Sequence, residues 1–163
     1  MTKLLNAKLS IDDKKKIVCK NRKAKFNYFL LESLEAGIVL KGTEVKSLRD
    51  SKGSLEESFA RLEKDEVYLY NCHISPYEFG NRNNEDPKRV RKLLLHRGEI
   101  ERLRGKTEQK GLSLIPVLIY FKGGKAKVEL FLAKGKKNYD KRDSIKKREA
   151  DREIERASRE KYK

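Results

Sequence analysis

Three short clusters of basic residues carry the clearest chemistry in this sequence. One occupies residues 21–25, a second residues 88–92, and a third surrounds Gly135. Arginine offers a bidentate guanidinium and lysine a compact point charge, and both bind phosphate. Three such clusters could hold the phosphates of an RNA around a folded core. The candidates that we take from them are Asn21, Arg22, Lys23, Lys92, Lys134, Lys136 and Lys137.

No set of residues has the spacing of a catalytic or metal site. Cys72 and His73 are adjacent, but neighbouring residues of a strand point to opposite faces, and a structural zinc site needs four ligands. Cys19 and His96 are distant in sequence and add no spacing motif. Nucleophile, Walker and dinucleotide-binding motifs do not occur in the sequence. We therefore expect no catalytic residues, no metal and no cofactor, and we expect the cysteines to be buried as small hydrophobic residues.

Tyr68 and Tyr70 have the spacing of one strand face, where their rings could stack on nucleobases. No basic residue alternates with them along that strand, which favours packing against a helix instead. Both interpretations stay open from the residues alone.

Positive charge is concentrated at the two ends of the chain. The 163 residues include 41 Lys and Arg against 25 Asp and Glu, a net charge of +16. Residues 1–25 carry +7 and residues 134–163 carry +6, which leaves +3 between them. A charge of this sign attracts nucleic acid. A solvated basic surface without a partner is the alternative.

The apolar segments are too short to cross a membrane. The longest, residues 112–121, is interrupted by Ser113 and Pro116, whereas a spanning helix needs about 20 apolar residues. Residues 1–13 lack the apolar run of a secretory signal. Two cysteines cannot form a disulfide framework. We therefore expect a cytoplasmic protein with no membrane partner.

The middle of the chain has the pattern of short strands. A turn or bulge is expected at residues 35–37, and hairpin turns at residues 64–65 and 123–124. A short helix is expected at residues 44–50 and a longer one at residues 96–109. These patterns predict a mainly β protein, an OB-like antiparallel barrel with flanking helices. The expected strands are residues 26–34, 38–40, 58–62, 67–73, 90–95, 112–121 and 125–133.

The chain divides into three segments: a flexible basic N-terminus at residues 1–14, the OB-like barrel at residues 15–133, and a basic tail at residues 134–163. Opposite charges in the tail have helical spacing, but each pair contributes only about 0.2–0.5 kcal/mol. The tail has almost no apolar face with which to dock on the barrel, and isolated helices of this length are marginal. We expect it to be disordered when free and helical against a polyanion.

Several motifs follow one another in the order of a known family. Over roughly residues 15–150 the sequence closely resembles the SmpB family, the SsrA-binding proteins of bacterial trans-translation. The resemblance implies an OB-type barrel with a C-terminal tail and no enzymatic activity. The motifs are NRKA at 21–24, EAGI at 35–38, GTEVKSLR at 42–49, NCHISPY at 71–77, RKLLL at 91–95, KVE at 127–129 and AKGKKNYDKR at 133–142.

The resemblance also implies two groups of functional residues. Many family members carry Asn where this chain has His96, and both side chains can form hydrogen bonds. Strand alternation alone directs Lys127 outward, which supports a phosphate contact. The implied RNA contacts on the barrel are Glu35, Leu94, His96 and Lys127. The implied decoding-centre contacts in the tail are Tyr139, Asp140, Lys141, Arg142 and Ile145.

These residues imply an RNA-binding adaptor. It would bind the tRNA-like domain of tmRNA and deliver it to the A site of stalled ribosomes, with the tail probing the empty mRNA channel. The expected partners are tmRNA, the ribosome with its small-subunit rRNA, and elongation factor Tu in the delivery complex; the expected state is a monomer. A general OB-type RNA-binding or ribosome-assembly protein is the alternative.

Overall fold

The computed structural model describes residues 15–161, so the predicted flexible segment 1–14 lies outside the described residues. The strands are β1 Lys16–Lys20, β2 Tyr28–Ile38, β3 Gly53–Ser54, β4 Phe59–Glu63, β5 Glu66–Tyr70, β6 His73–Ile74, β7 Arg91–Leu94, β8 Ser113–Lys122 and β9 Lys125–Gly135. The helices are α1 Ala24–Asn27, α2 Gly42–Arg49, α3 Arg97–Lys110 and α4 Asn138–Lys161, with a 3-10 turn at Asn81–Asn83.

Six antiparallel strands close into a barrel. Their order is β8, β4, β5, β7, β2 and β9, and β9 pairs again with β8. The narrowest seam joins β4 to β8 through the single pair Ala60 and Leu114. β1 extends the sheet alongside β8. The predicted mainly β, OB-like barrel with flanking helices is confirmed.

Both predicted hairpin turns are confirmed, because their residues adopt the positive φ that tight turns require. Lys64 and Asp65 join β4 to β5 with φ of 44° and 66°, and Gly123 and Gly124 join β8 to β9 with φ of 56° and 76°. The register of β8 shifts just after Pro116, as expected of a residue without an N–H.

The expected turn at residues 35–37 is wrong, because β2 runs through these residues without interruption. Glu35 pairs with Glu129 of β9, and Gly37 pairs with a residue on each neighbouring strand. The irregularity in β2 lies earlier, between Leu30 and Glu32. Pairing on both sides fixes this segment as a strand in spite of its glycine.

The barrel interior is filled by alternate residues of the strands. Val128, Leu130 and Leu132 of β9 are buried, as the alternation in the sequence predicts. Leu103 of α3 joins the same core, and Glu32 of β2 holds that helix through ion pairs with Arg102 and Lys106.

Both cysteines are buried, as the sequence predicts. Burial raises the pKa of the Cys72 thiol to about 12, which keeps the thiol neutral at physiological pH.

The tail departs from the predicted disorder, since α4 is one continuous helix. The Asp140 carboxylate accepts a hydrogen bond of 3.0 Å from the Lys137 N–H, and residues with high helix propensity follow. Its first turns also contact α1, and Ile145 lines a groove there, so the expectation of no docking is wrong for this part. Residues 146–159 are exposed. The helix therefore depends on tertiary contacts only at its beginning.

Candidate RNA interface

A row of residues crosses four strands near the β8–β9 hairpin. Leu94 of β7 pairs with Gly37 of β2, Gly37 pairs with Lys127 of β9, and Lys127 pairs with Tyr120 of β8. Paired residues share one face of a sheet, and this row is on the outer face because the neighbouring Val128 points into the core. The Leu94 side chain is 52% exposed, which is unusual for a strand leucine.

Gly37 brings Leu94 close to the backbone of β2. A Cβ atom at position 37 would lie 3.2 Å from the Leu94 Cβ atom, which is tighter than ordinary van der Waals contact. The Leu94 side chain therefore lies directly against the backbone of β2.

Glu35 lies on the same face, two residues before Gly37. Its carboxylate accepts a hydrogen bond from the Tyr120 hydroxyl, and the Lys127 Nζ atom lies 3.7 Å from its Oε1 atom. The Tyr120 hydrogen bond, together with the nearby lysines, holds the pKa of Glu35 below its usual range in spite of partial burial. An ionised carboxylate at this point can accept hydrogen bonds from a base amino group or a ribose hydroxyl.

His96 stands at the N-terminal end of α3, two residues after Leu94. Its backbone N–H donates to the Glu99 carboxylate over 2.9 Å, as in a helix capping box. Its side chain is exposed. The helix start thus fixes the backbone of His96 and leaves the imidazole accessible.

The structure therefore places Glu35, Leu94 and Lys127 together on one outer surface, with His96 at its border. We call these four residues the barrel cluster. Tyr120 and Gly37 complete it, and sequence reasoning missed both. The predicted turn at residues 123–124 does pair residue 120 with residue 127, but only the register between β2 and β9 places Gly37 and Glu35 beside them.

Only some of the basic side chains at residues 88–92 are accessible to solvent. The Arg91 side chain is fully buried and bonds to Glu44 and to the Cys72 carbonyl oxygen, over 2.9 and 2.6 Å. Arg89 reaches the other Glu44 oxygen over 2.5 Å. Lys92 is partly exposed and forms an ion pair with Glu66. Two of the four cations therefore hold the fold together.

The basic arm divides its residues between structure and surface. Asn21 is buried, and its side-chain amide donates to the carbonyl oxygens of Leu55 and Pro116 over 3.1 and 3.3 Å. Lys23 forms an ion pair with Glu56, and Arg22 is exposed. Asn21 therefore anchors the arm, and Arg22 is the cation that it presents.

Lys136 connects three elements at the opposite end of β9. Its Nζ atom donates to the Lys25 carbonyl oxygen over 2.9 Å, lies 3.4 Å from the Ser144 hydroxyl of α4, and lies 4.9 Å from the centre of the Phe29 ring. Lys134 and Lys137 are exposed. Lys136 thus fixes the start of the tail, and its two neighbours remain accessible.

The predicted tail residues lie on the first turns of α4. Tyr139 is 61% exposed and Arg142 is exposed, whereas Asp140 caps the helix and Lys141 is half-buried. Eight residues separate Lys127 from Gly135, so β9 places the barrel cluster about 26 Å from the start of the tail. The structure does not bring the two groups of predicted residues together.

Among residues 15–161, no three or more His, Cys, Asp or Glu side chains are grouped as metal ligands. No helix in this part of the chain combines the length and hydropathy needed to span a bilayer.

Known proteins resemble this chain over most of its length. The family model described as SmpB protein matches residues 18–160. The chain is 66% identical over 144 residues to the SsrA-binding protein of Desulforudis audaxviator (strain MP104C), covering 88% of this chain and 94% of that protein. It is 57% identical over 148 residues to the SsrA-binding protein of Geobacillus thermodenitrificans (strain NG80-2), covering 91% and 96%.

A solved structure is also similar. It is described as "tmRNA-SmpB: a journey to the center of the bacterial ribosome", and the match has a TM-score of 0.62 and 58% sequence identity. The match covers 73% of this chain and 84% of that chain.

Proposed function

This chain belongs to the SmpB family, and from that premise we propose that it is an RNA-binding adaptor of trans-translation. It binds the tRNA-like domain of tmRNA and delivers it to the A site of stalled ribosomes. Similar proteins are named SsrA-binding proteins, and the similar structure is described with tmRNA and the bacterial ribosome. The observation that carries the proposal is the barrel cluster, in which three separate segments of the chain, at positions 35, 94–96 and 127, meet on one outer surface.

The residues of the barrel cluster supply complementary contacts to RNA. The Lys127 ammonium neutralises a phosphate, and the ionised Glu35 carboxylate accepts from a ribose hydroxyl or a base amino group. Leu94 supplies an apolar contact, and the imidazole of His96 forms a further hydrogen bond. Tyr120 keeps the Glu35 carboxylate in place. Such a set recognises the shape of a folded RNA, whereas phosphate contacts alone would accept any RNA.

The tail acts at a distance from the barrel cluster. α4 contains 24 residues and extends about 36 Å from the end of β9. It enters the mRNA channel only when that channel is vacant, since an intact message occupies the same volume. Tyr139 stacks on an rRNA base there, and the basic side chains contact the rRNA walls. The barrel takes the place of the anticodon arm that the tRNA-like domain lacks.

The proposal extends to the setting in which the protein acts. It includes elongation factor Tu as a partner in the delivery complex, a monomeric protein, a cytoplasmic location and no catalytic step of its own. These points rest on membership of the family.

Binding to two RNAs tests the proposal. The full chain should bind the tRNA-like domain of tmRNA at least tenfold more tightly than a hairpin of equal length, a difference of about 1.4 kcal/mol. Lys127→Glu should abolish most of this preference, and Lys127→Arg should be milder because it keeps the charge. Lys125→Glu, an exposed position on the same strand, is the matched control. Equal affinity for both RNAs would identify a general RNA-binding protein instead.

A further inference from the structure

The outer face of β4, β5 and β7 carries aromatic and basic residues that the proposed function does not use. Phe59 pairs with Tyr70, Arg61 pairs with Tyr68, and Tyr68 pairs with Lys92. The alternate residues Ala60, Val67 and Leu69 fill the core, so these five side chains point outward. We call this surface the aromatic face.

An arginine lies beside the stacked rings of this face. The Phe59 and Tyr70 rings are stacked, with centres 5.3 Å apart and planes inclined by 8°. The Arg61 guanidinium carbon lies 5.6 Å from the Phe59 centre and 5.9 Å from the Tyr70 centre. The basic residue that the sequence of β5 lacks is therefore supplied by the neighbouring strand.

Hydrogen bonds fix the orientation of both tyrosines. The Tyr70 hydroxyl donates to the Glu63 carboxylate and the Tyr68 hydroxyl to the Glu66 carboxylate, each over 2.6 Å. Glu66 also forms an ion pair with Lys92. Rings held in this way lose little conformational freedom when a ligand stacks on them.

The aromatic face continues into a groove of about 1350 Å³ beside α1 and α4. Phe59 and Arg61 belong to both the face and the groove. Arg22 and Arg148 also line the groove, which has four basic and two acidic lining residues. Rings beside a cationic groove suit a single-stranded nucleic acid, since bases stack on the rings while phosphates follow the positive charge.

We propose that the aromatic face binds unpaired nucleotides of RNA by stacking on β4 and β5, at a site that adjoins the barrel cluster along β7. Arg61 supplies a planar guanidinium on which a base can stack, and the Phe59 and Tyr70 rings support it. This is a second RNA site, beyond recognition of the tRNA-like domain. Unpaired nucleotides occur in both tmRNA and rRNA, and the chemistry of the site is the same for either source.

A fluorescein-labelled single-stranded RNA of ten nucleotides, titrated with the full chain, tests the proposal. Arg61→Ala should weaken binding at least about fivefold, the lower end of the effect of losing one stacking contact. Arg61→Lys should weaken binding similarly, because lysine keeps the charge but has no planar group. Lys64→Asn removes one charge from the tip of the same hairpin and should have little effect. Wild-type affinity in Arg61→Lys would overturn the stacking proposal. So would a loss of affinity in Lys64→Asn as large as that in Arg61→Ala.

Tyr70 gives an independent readout. Tyr70→Phe keeps the ring and removes only the hydroxyl that orients it, so it should weaken binding of the single strand less than Tyr70→Leu, which removes the ring. Thermal melts check that both variants fold. An equal loss of affinity in the two variants would assign the effect to the hydroxyl and contradict the proposal.

Two further measurements separate this site from the barrel cluster and identify the RNA. Arg61→Ala should leave affinity for the tRNA-like domain within about twofold of the wild type, since Arg61 lies two strands, or about 10 Å, from the β7 residues of the barrel cluster and substitutions this far apart usually act independently. Lys127→Glu should weaken binding of the tRNA-like domain and leave affinity for the single-stranded RNA nearly unchanged. Cross-linking of 4-thiouridine-labelled tmRNA, and separately of small ribosomal subunits, should yield RNA adducts on β4 or β5. Adducts elsewhere only, or cross-links to protein alone, would overturn the proposal.

Discussion

The Glu44 carboxylate joins α2 to two arginines that precede or begin β7. Arg89 and Arg91 bind its two oxygens, and the backbone N–H of Lys41 donates to it over 2.7 Å. Arg91 also bonds to the carbonyl oxygens of Cys72 and Pro87. Removing one member of a buried ion pair leaves the other without compensation, which is far more costly than losing an exposed pair.

Glu44→Gln should therefore lower the free energy of unfolding by about 3–5 kcal/mol. Urea denaturation at neutral pH measures this loss. Glu155→Gln, which breaks the exposed pair with Arg159 on α4, should leave the same free energy within error of the wild type. Similar effects from both substitutions would show that the Glu44 network is not important for stability.

The same carboxylate makes stability depend on pH. Burial alone would raise the pKa of Glu44, but the bonds from Arg89, Lys41 and Arg91 outweigh it and hold that pKa below its usual range. The stability that the Glu44 carboxylate contributes is complete above its pKa in the unfolded chain, about 4.3. This stability is lost as the pH falls through the lower pKa that the carboxylate has in the folded protein. The stability gap between wild type and Glu44→Gln should thus be constant from about pH 5.5 to 7 and narrow below about pH 4.

Gly37→Ala tests the close approach of Leu94 in the barrel cluster. The new methyl group would displace Leu94 by a few tenths of an ångström, because the contact would be 3.2 Å. We expect affinity for the tRNA-like domain to fall about fivefold, or about 1 kcal/mol. Gly105→Ala in α3 is the control, since its Cβ meets nothing within 4 Å. That control should keep its affinity and gain up to about 1 kcal/mol of stability.

The residues of the barrel cluster show where sequence reasoning ends. Alternation in β9 correctly directs Lys127 outward, and the family resemblance suggests Glu35, Leu94 and His96. The role of Tyr120 could not be found in this way, because its partner Glu35 lies on β2, which local sequence does not place beside the β8–β9 hairpin. Arg91 was misjudged for a related reason, since its partner Glu44 lies 47 residues away.

Among the elements, those with strong local signals were predicted well. The β8–β9 hairpin follows from two glycines at its turn, and α3 ends where Gly111 adopts a positive φ of 56°. β2 was divided at Gly37 because the pairing that holds it comes from β7 and β9, which local sequence does not report. α4 was judged by its missing apolar face, although Ile145 provides a contact at its first turns.

α4 should be stable at its beginning and frayed at its end. Residues 150–159 are exposed, and the Glu155–Arg159 ion pair within the helix adds little stability, so their amides should exchange within about tenfold of the unfolded rate. Hydrogen exchange of the full chain measures this. Ile145→Asp should reduce protection in the first turns, whereas Ile154→Asp, at a position that is 65% exposed, should not. Uniform strong protection along α4 would contradict this description.

On the scale of the whole molecule, β9 separates two functions. The barrel cluster lies near its first residue, and α4 follows its last. Deleting residues 138–163 should leave affinity for the tRNA-like domain within about twofold, since distant sites contribute independently. The same deletion should abolish peptide tagging on stalled ribosomes.

RNA-binding titrations and a reconstituted tagging assay measure the two outcomes separately. Lys127→Glu is the comparison, because it should impair RNA binding directly and tagging only as a consequence. A collapse of RNA binding in the deleted protein would show that barrel and tail do not act independently.

The position of β9 also decides how the molecule withstands mechanical load. β9 lies between β2 and β8, with nine residue pairs to each neighbour, and α4 leaves from its end. Tension applied to the helix pulls β9 lengthwise, so its ladder hydrogen bonds resist in shear and many must break together. By contrast, β4 is joined to β8 by a single residue pair. A force applied to α4 therefore pulls against the strand that has the most residue pairs in the barrel.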